Sequence, residues 1–98
     1  MDAISRLFNP RSVAVVGASA DAGKTAGRPV SYLLKHGYRG RILPVNPKVG
    51  HIGELACYAD VAALPEVPDV GIVLLGAERA HLAVRELAAR GTAAAIVL

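Results

Sequence analysis

The sequence predicts an open α/β fold, one parallel sheet covered on both faces by helices. Three observations carry this. Short runs rich in valine, isoleucine and leucine recur along the chain and alternate with helical patterns. Those runs are apolar on consecutive residues, so neither pleat of the sheet faces water. Finally, 98 residues, 53% of them hydrophobic, build one domain core and not two.

Ser12–Gly17, Ser-Val-Ala-Val-Val-Gly, reads as a buried first strand ending at glycine. Residues 18–27, rich in Ala, Gly, Ser and Asp, form a loop. A helix follows over Arg28–His36: Pro29 suits its first turn, Val30, Leu33 and Leu34 supply an apolar face, and Gly37 stops it. Arg41–Val45 is the second strand, closed by Asn46-Pro47, and Leu55–Tyr58 is a short third. Asp60 caps a brief helical turn through Leu64. Val70–Leu75 is the fourth strand. The clearest helix spans Glu78–Arg90, with Leu82, Val84, Leu87 and Ala88 as apolar positions and Gly91 as terminator. Ala94–Leu98 is the fifth strand. Right-handed crossovers then give a Rossmann-like, three-layer α/β/α domain with strand order 3-2-1-4-5. Because the chain stops inside that fifth run, we expect residues 1–98 to be one domain truncated from a longer protein. The open strand end is expected to bind the parent's other domains or a second copy.

Composition narrows the function. Charged residues are 19% and the net charge is +3, a balance that suits a small anionic ligand. The eleven bases form no cluster, so no membrane patch is indicated. The scarce aromatics, Phe8, Tyr32, Tyr38 and Tyr58, make a base-stacking nucleic-acid platform a poor fit. No stretch is long enough to span a bilayer and no secretory leader is recognisable, so the cytoplasm is the expected compartment. Cys57 has no partner for a disulfide, and the three histidines show no metal spacing; Cys57 is expected to be a buried structural thiol.

The chemistry is expected in the first loop, Gly17–Gly27, and in the segment after Leu75, because open α/β sheets bind ligands beyond the carboxyl ends of their strands. Loop amides leading into a helix attract phosphate. Two phosphate templates fail. A P-loop needs four residues between its first glycine and Gly-Lys-Thr, and five separate Gly17 from Gly23-Lys24-Thr25. The dinucleotide fingerprint fails at Ser19, and the second strand ends in Asn46 where that fingerprint wants an acid. Lys24, Thr25, His36 and His81 read as solvated surface residues, and Asp21 as a turn residue. His51 lies in a loop near the proposed nucleotide site, where contact with a ligand is an alternative.

Four segments together resemble one known domain: Leu-Phe-Asn-Pro-Arg-Ser at 7–12, Ser-Val-Ala-Val-Val-Gly-Ala-Ser at 12–19, Gly-Tyr-Arg-Gly-Arg-Ile-Leu-Pro-Val-Asn-Pro-Lys at 37–48, and Pro-Asp-Val-Gly-Ile-Val at 68–73. The domain is the N-terminal CoA-binding domain of NDP-forming acyl-CoA synthetases, relatives of the succinyl-CoA ligase α-subunit. The resemblance implies that Gly17, Ala18 and Ser19 approach the phosphates of coenzyme A. It places Asn46, Pro47 and Lys48 at the nucleotide end, with Lys48 meeting the 3′-phosphate. Arg28 is a further phosphate candidate. Tyr58 matches a family tyrosine, with plain packing as the alternative. Gly76 and Ala77 stand where the family usually has a proline beside a small residue, so that wall of the site departs from the pattern.

The implied parent is an acid–CoA ligase in which ATP or another NTP binds a separate ATP-grasp domain and a phosphohistidine carries phosphate between domains. No histidine here fits that role, so this chain is expected to bind and not to catalyse. Two alternatives stay open: the CoA-binding domain of a lysine acetyltransferase with a GNAT domain, and a stand-alone CoA- or nucleotide-binding module.

Overall fold

The computed structural model describes residues 3–19, 21 and 23–98, Ala3 by its backbone only. In chain order these form α1 (Ala3–Phe8), β1 (Ser12–Val16), α2 (Arg28–Lys35), β2 (Arg41–Val45), β3 (His51–Ile52), β4 (Leu55–Ala56), β5 (Val70–Val73), α3 (Ala77–Arg90) and β6 (Ala94–Val97). Single 3-10 turns lie at Thr25–Gly27 and Val61–Ala63.

The sheet runs β2-β1-β5-β6, with every neighbouring pair parallel. β1 is buried along its whole length, as its unbroken apolar run requires. Its residues divide between two cores. Val13 and Val15 pack with Val30, Ile42 and Val70 under α2. Ala14 and Val16 pack with Leu43, Val45, Val73 and Leu87 under α3. The three-layer Rossmann-like architecture follows directly: one helix per face, each closing a crossover.

The expected third strand takes another form. Leu55–Ala56 pairs antiparallel with His51–Ile52 in a small separate hairpin. Among the described residues of this segment, Tyr58 is the one that pairs with the main sheet, through one parallel bridge to Val45. Its N–H donates to the Pro44 carbonyl and its carbonyl accepts from the Asn46 N–H, both at 2.9 Å. The outer position of the expected order is thus kept by one residue.

Two helix faces also differ from the sequence reading. On α2, Val30 is buried but Leu34 is 55% exposed. On α3 the residues against the sheet are Ala80, Ala83 and Leu87, whereas Leu82 is 56% exposed and Ala88 lies in solvent. The reason is close approach: a Cβ on Gly71 of β5 would stand 2.5 Å from Leu87 Cδ1. With no side chain at Gly71, α3 settles onto the sheet through its small residues. Asp60 caps its 3-10 turn as expected, accepting from the Ala63 N–H at 2.8 Å. Gly91 ends α3 in the left-handed conformation, φ +97°.

α1 was not legible in the sequence. Six residues hold no helix on their own, and this one is tied down by tertiary contact. Arg6 Nε donates to Asp69 Oδ1 at 2.6 Å, and the Arg11 N–H donates to Asp69 Oδ2 at 2.8 Å. Burial pushes the Asp69 carboxyl up, but the hydrogen bonds and charges of Arg6 and Arg11 outweigh it, so its pKa falls below the ordinary value. Cys57 is half-buried, less enclosed than the sequence implied.

Candidate functional site

β1, β2 and β5 deliver their carboxyl ends to one region, and a cavity of about 530 Å³ opens there, on the α3 side of the sheet. Gly17 is its floor at the end of β1. Its φ of +88° is one that side chains rarely adopt, and a Cβ would meet the Leu74 carbonyl oxygen at 2.7 Å and Leu75 Cδ2 at 2.8 Å. Only glycine lets the chain turn here while lying flat against the end of β5. The Gly17 N–H donates to the Val45 carbonyl at 2.8 Å, which fastens this turn to β2.

Asn46 forms the second brace. Its Nδ2 donates to the Ala18 carbonyl at 2.8 Å, and its Oδ1 accepts from the Lys48 N–H at 2.8 Å. The second bond is an Asx turn. It folds Asn46-Pro47-Lys48 back so that all three residues line the cavity. The Asn46 side chain therefore serves the chain's own backbone, where the sequence reading gave it to the ligand.

The first loop braces itself as well. Ser19 N–H donates to the Ala26 carbonyl at 3.0 Å, while Ser19 Oγ accepts from the Asp21 N–H at 3.1 Å. Asp21 Oδ1 accepts from the Gly23 N–H at 2.9 Å, the turn role expected of it. The Ala18 side chain is fully buried in the core under α2, so only its backbone is near the site.

The structure therefore brings together Gly17, Asn46, Pro47 and Lys48 of the expected residues. Ala18 and Ser19 do not line the cavity; Ala18 is tied to it only through its carbonyl, which accepts from Asn46 Nδ2. Arg28 is exposed at the start of α2 and does not line it. Tyr58 packs against the α3-side core and borders a different hollow, of about 340 Å³, outside β2. Gly76 and Ala77 precede the wall without lining it; Leu74 and Leu75 take that place. His51 is exposed in the hairpin and lies outside the cavity lining.

Sequence reasoning missed the α3 wall. Arg79, Leu82, Ala83 and Glu86 line the cavity. Their spacing, i, i+3, i+4 and i+7, is the signature of one helix face, so the signal was present. It lies beside the sheet-facing stripe and shares Ala83 with it. Asp60 and Val61 close the far side.

Burial raises the Cys57 thiol, only partly opposed by its contact with the Asn46 carbonyl at 3.8 Å, so it stays protonated at neutral pH and supplies no nucleophile. Among the described residues no cluster of His, Cys, Asp and Glu suits a metal ion, and no helix is long and apolar enough to cross a membrane. Apolar walls with a few fixed polar groups suit a small organic ligand.

Comparison with known proteins bears on which one. The sequence profile of the CoA binding domain family matches residues 11–98. The chain is 37% identical over 92 residues to acetate–CoA ligase [ADP-forming] II of Archaeoglobus fulgidus, covering 94% of this chain and 14% of that protein. It is 35% identical over 92 residues to the α-subunit of acetate–CoA ligase [ADP-forming] I of Pyrococcus furiosus, covering 90% of this chain and 20% of the subunit. Among solved structures, a conserved hypothetical protein from Pyrococcus furiosus superposes with TM-score 0.72 at 32% identity, over 83% of this chain and 68% of the other. An acetyl-coenzyme A synthetase of Candidatus Korarchaeum cryptofilum, in complex with phosphate and ADP, does so with TM-score 0.69 at 27% identity, over 91% of this chain and 26% of the other. The chain thus spans a small part of the length of the ligases it matches.

Proposed function

The chain belongs to the CoA-binding domain family, and from that premise we propose that the cavity at the strand ends holds coenzyme A on behalf of a longer acid–CoA ligase. The supporting observation is that Gly17 and the Asn46–Lys48 turn, two separate sequence motifs, line one cavity. In this reading the flat turn at Gly17 gives the diphosphate access to backbone, since no side chain stands in the way. Lys48 offers a point charge to the 3′-phosphate. Val16, Val45 and Leu82 enclose the apolar parts of the nucleotide. The thiol arm then runs out past Leu74 and Leu75 toward the remaining domains.

Binding and orientation are the work of these residues. In this reading acid activation and the use of ATP or another NTP belong to other domains of the parent. The ligase relatives favour this parent over an acetyltransferase or a stand-alone module. A cytoplasmic ligase is the setting we propose.

Calorimetric titration of the chain with CoA, NAD and ATP tests the reading. CoA is expected to bind most tightly. Tighter binding of NAD would refute it.

A further inference from the structure

Arg79 was not part of the sequence-derived site, yet it lines the same cavity as Lys48, from α3 where Lys48 comes from the turn after β2. Among the described residues neither cation is in an ion pair; the two salt bridges use Arg6 and Arg41. Arg79 also stands in the first turn of α3, where the helix's aligned peptide dipoles disfavour positive charge. Among the described residues neither acid of the cavity forms an ion pair with Arg79: Asp60 caps the 3-10 turn, accepting from the Ala63 N–H at 2.8 Å, and Glu86 lies seven residues further along α3, about 10 Å away by helical rise. The cavity thus holds two cations that are in no ion pair among the described residues, together with the carboxylates of Asp60 and Glu86.

We propose that Arg79 is a second phosphate-binding cation of this site, acting with Lys48 and fixing which end of the nucleotide enters where. The phosphates lie between Lys48 and Arg79. The base lies along Leu82 and Ala83 toward Glu86, whose carboxylate accepts hydrogen bonds from an amino group and repels phosphate. An anion seated at Arg79 offsets the unfavourable placement of that guanidinium, and its planar fork engages two phosphate oxygens at once. This inference rests on the coenzyme A reading.

The test compares the unaltered chain with Arg79→Ala and Arg79→Lys, titrated with CoA, 3′-dephospho-CoA and pantetheine, which has no phosphate. The expected result is a loss of about tenfold or more in CoA affinity for Arg79→Ala, with partial recovery in Arg79→Lys and no change for pantetheine. Loss confined to CoA assigns the contact to the 3′-phosphate; equal loss for CoA and 3′-dephospho-CoA assigns it to the diphosphate; either supports the proposal. Unchanged CoA affinity in Arg79→Ala, or an equal loss for pantetheine, overturns it. Should the unaltered chain bind no CoA at all, the coenzyme A reading fails first, and that outcome is distinct from a failure at Arg79.

Discussion

Asn46 Nδ2 donates a hydrogen bond of 2.8 Å to the carbonyl of Ala18, joining the end of β2 to the loop that follows β1. The same side chain accepts the Lys48 N–H, so one amide sets both the loop and the lysine. Asn46→Ala removes both bonds. The expected cost is roughly 1–3 kcal/mol in stability, together with weaker CoA binding. Thermal melting and calorimetry check this. Unchanged binding would show that Asn46 does not position the site.

Gly17→Ala places a methyl group 2.7 Å from the Leu74 carbonyl oxygen, at a backbone conformation unfavourable to alanine. Backbone cannot yield as a flexible side chain does. We expect a loss of about 2 kcal/mol or more, combining overpacking with left-handed strain. CoA binding should fall further than stability. Denaturant unfolding of both proteins measures the first effect and titration the second.

Lys48→Ala is expected to weaken CoA by about tenfold or more, the size of a charge-assisted contact, and to leave 3′-dephospho-CoA nearly unchanged. Equal losses for the two ligands would place the lysine elsewhere on the molecule.

Asp69 should make stability depend on acid pH. Its folded pKa is lowered from the ordinary 3.8, so its contribution is fully present above about that value and is lost as pH falls through the lower folded one. Asp69→Asn should lower stability at neutral pH by about 1.5–3 kcal/mol. The difference from the unaltered chain should shrink below about pH 4. Urea unfolding at pH 7 and pH 3 decides it; a constant difference would mean that Asp69 is not ionised in the folded chain.

The outer edge of β6 carries exposed Ile96 and Val97. A parallel edge with unpaired amides is a template for association. Sedimentation across a concentration series should show self-association of the chain, and Ile96→Lys should shift it toward monomer. A chain that stays monomeric throughout would show that this edge is not sticky.

Much of the architecture was determined by the sequence itself. The unbroken apolar runs at residues 12–16 and 70–73 require strands buried on both faces, and the helical stretches between strands require parallel pairing. Gly17 and Asn46-Pro47 were legible as the ends of β1 and β2 because glycine and Asn-Pro end strands through local backbone chemistry, whereas Lys48 was singled out by the family resemblance. Tertiary structure alone decided the rest. It set which stripe of α3 meets the sheet, because the missing side chain of Gly71 sits on another element and fixes how closely Leu87 approaches. It reduced the third strand to Tyr58, because the nearer residues pair with His51–Ile52 instead. It made α1 a helix through an ion pair to Asp69, 63 residues away along the chain. And it turned Arg79, Leu82 and Glu86 into a cavity wall, since a helix face acquires a role only from what the fold places opposite it. Periodicity within a segment reports which residues share a face; only packing across segments reports what that face meets.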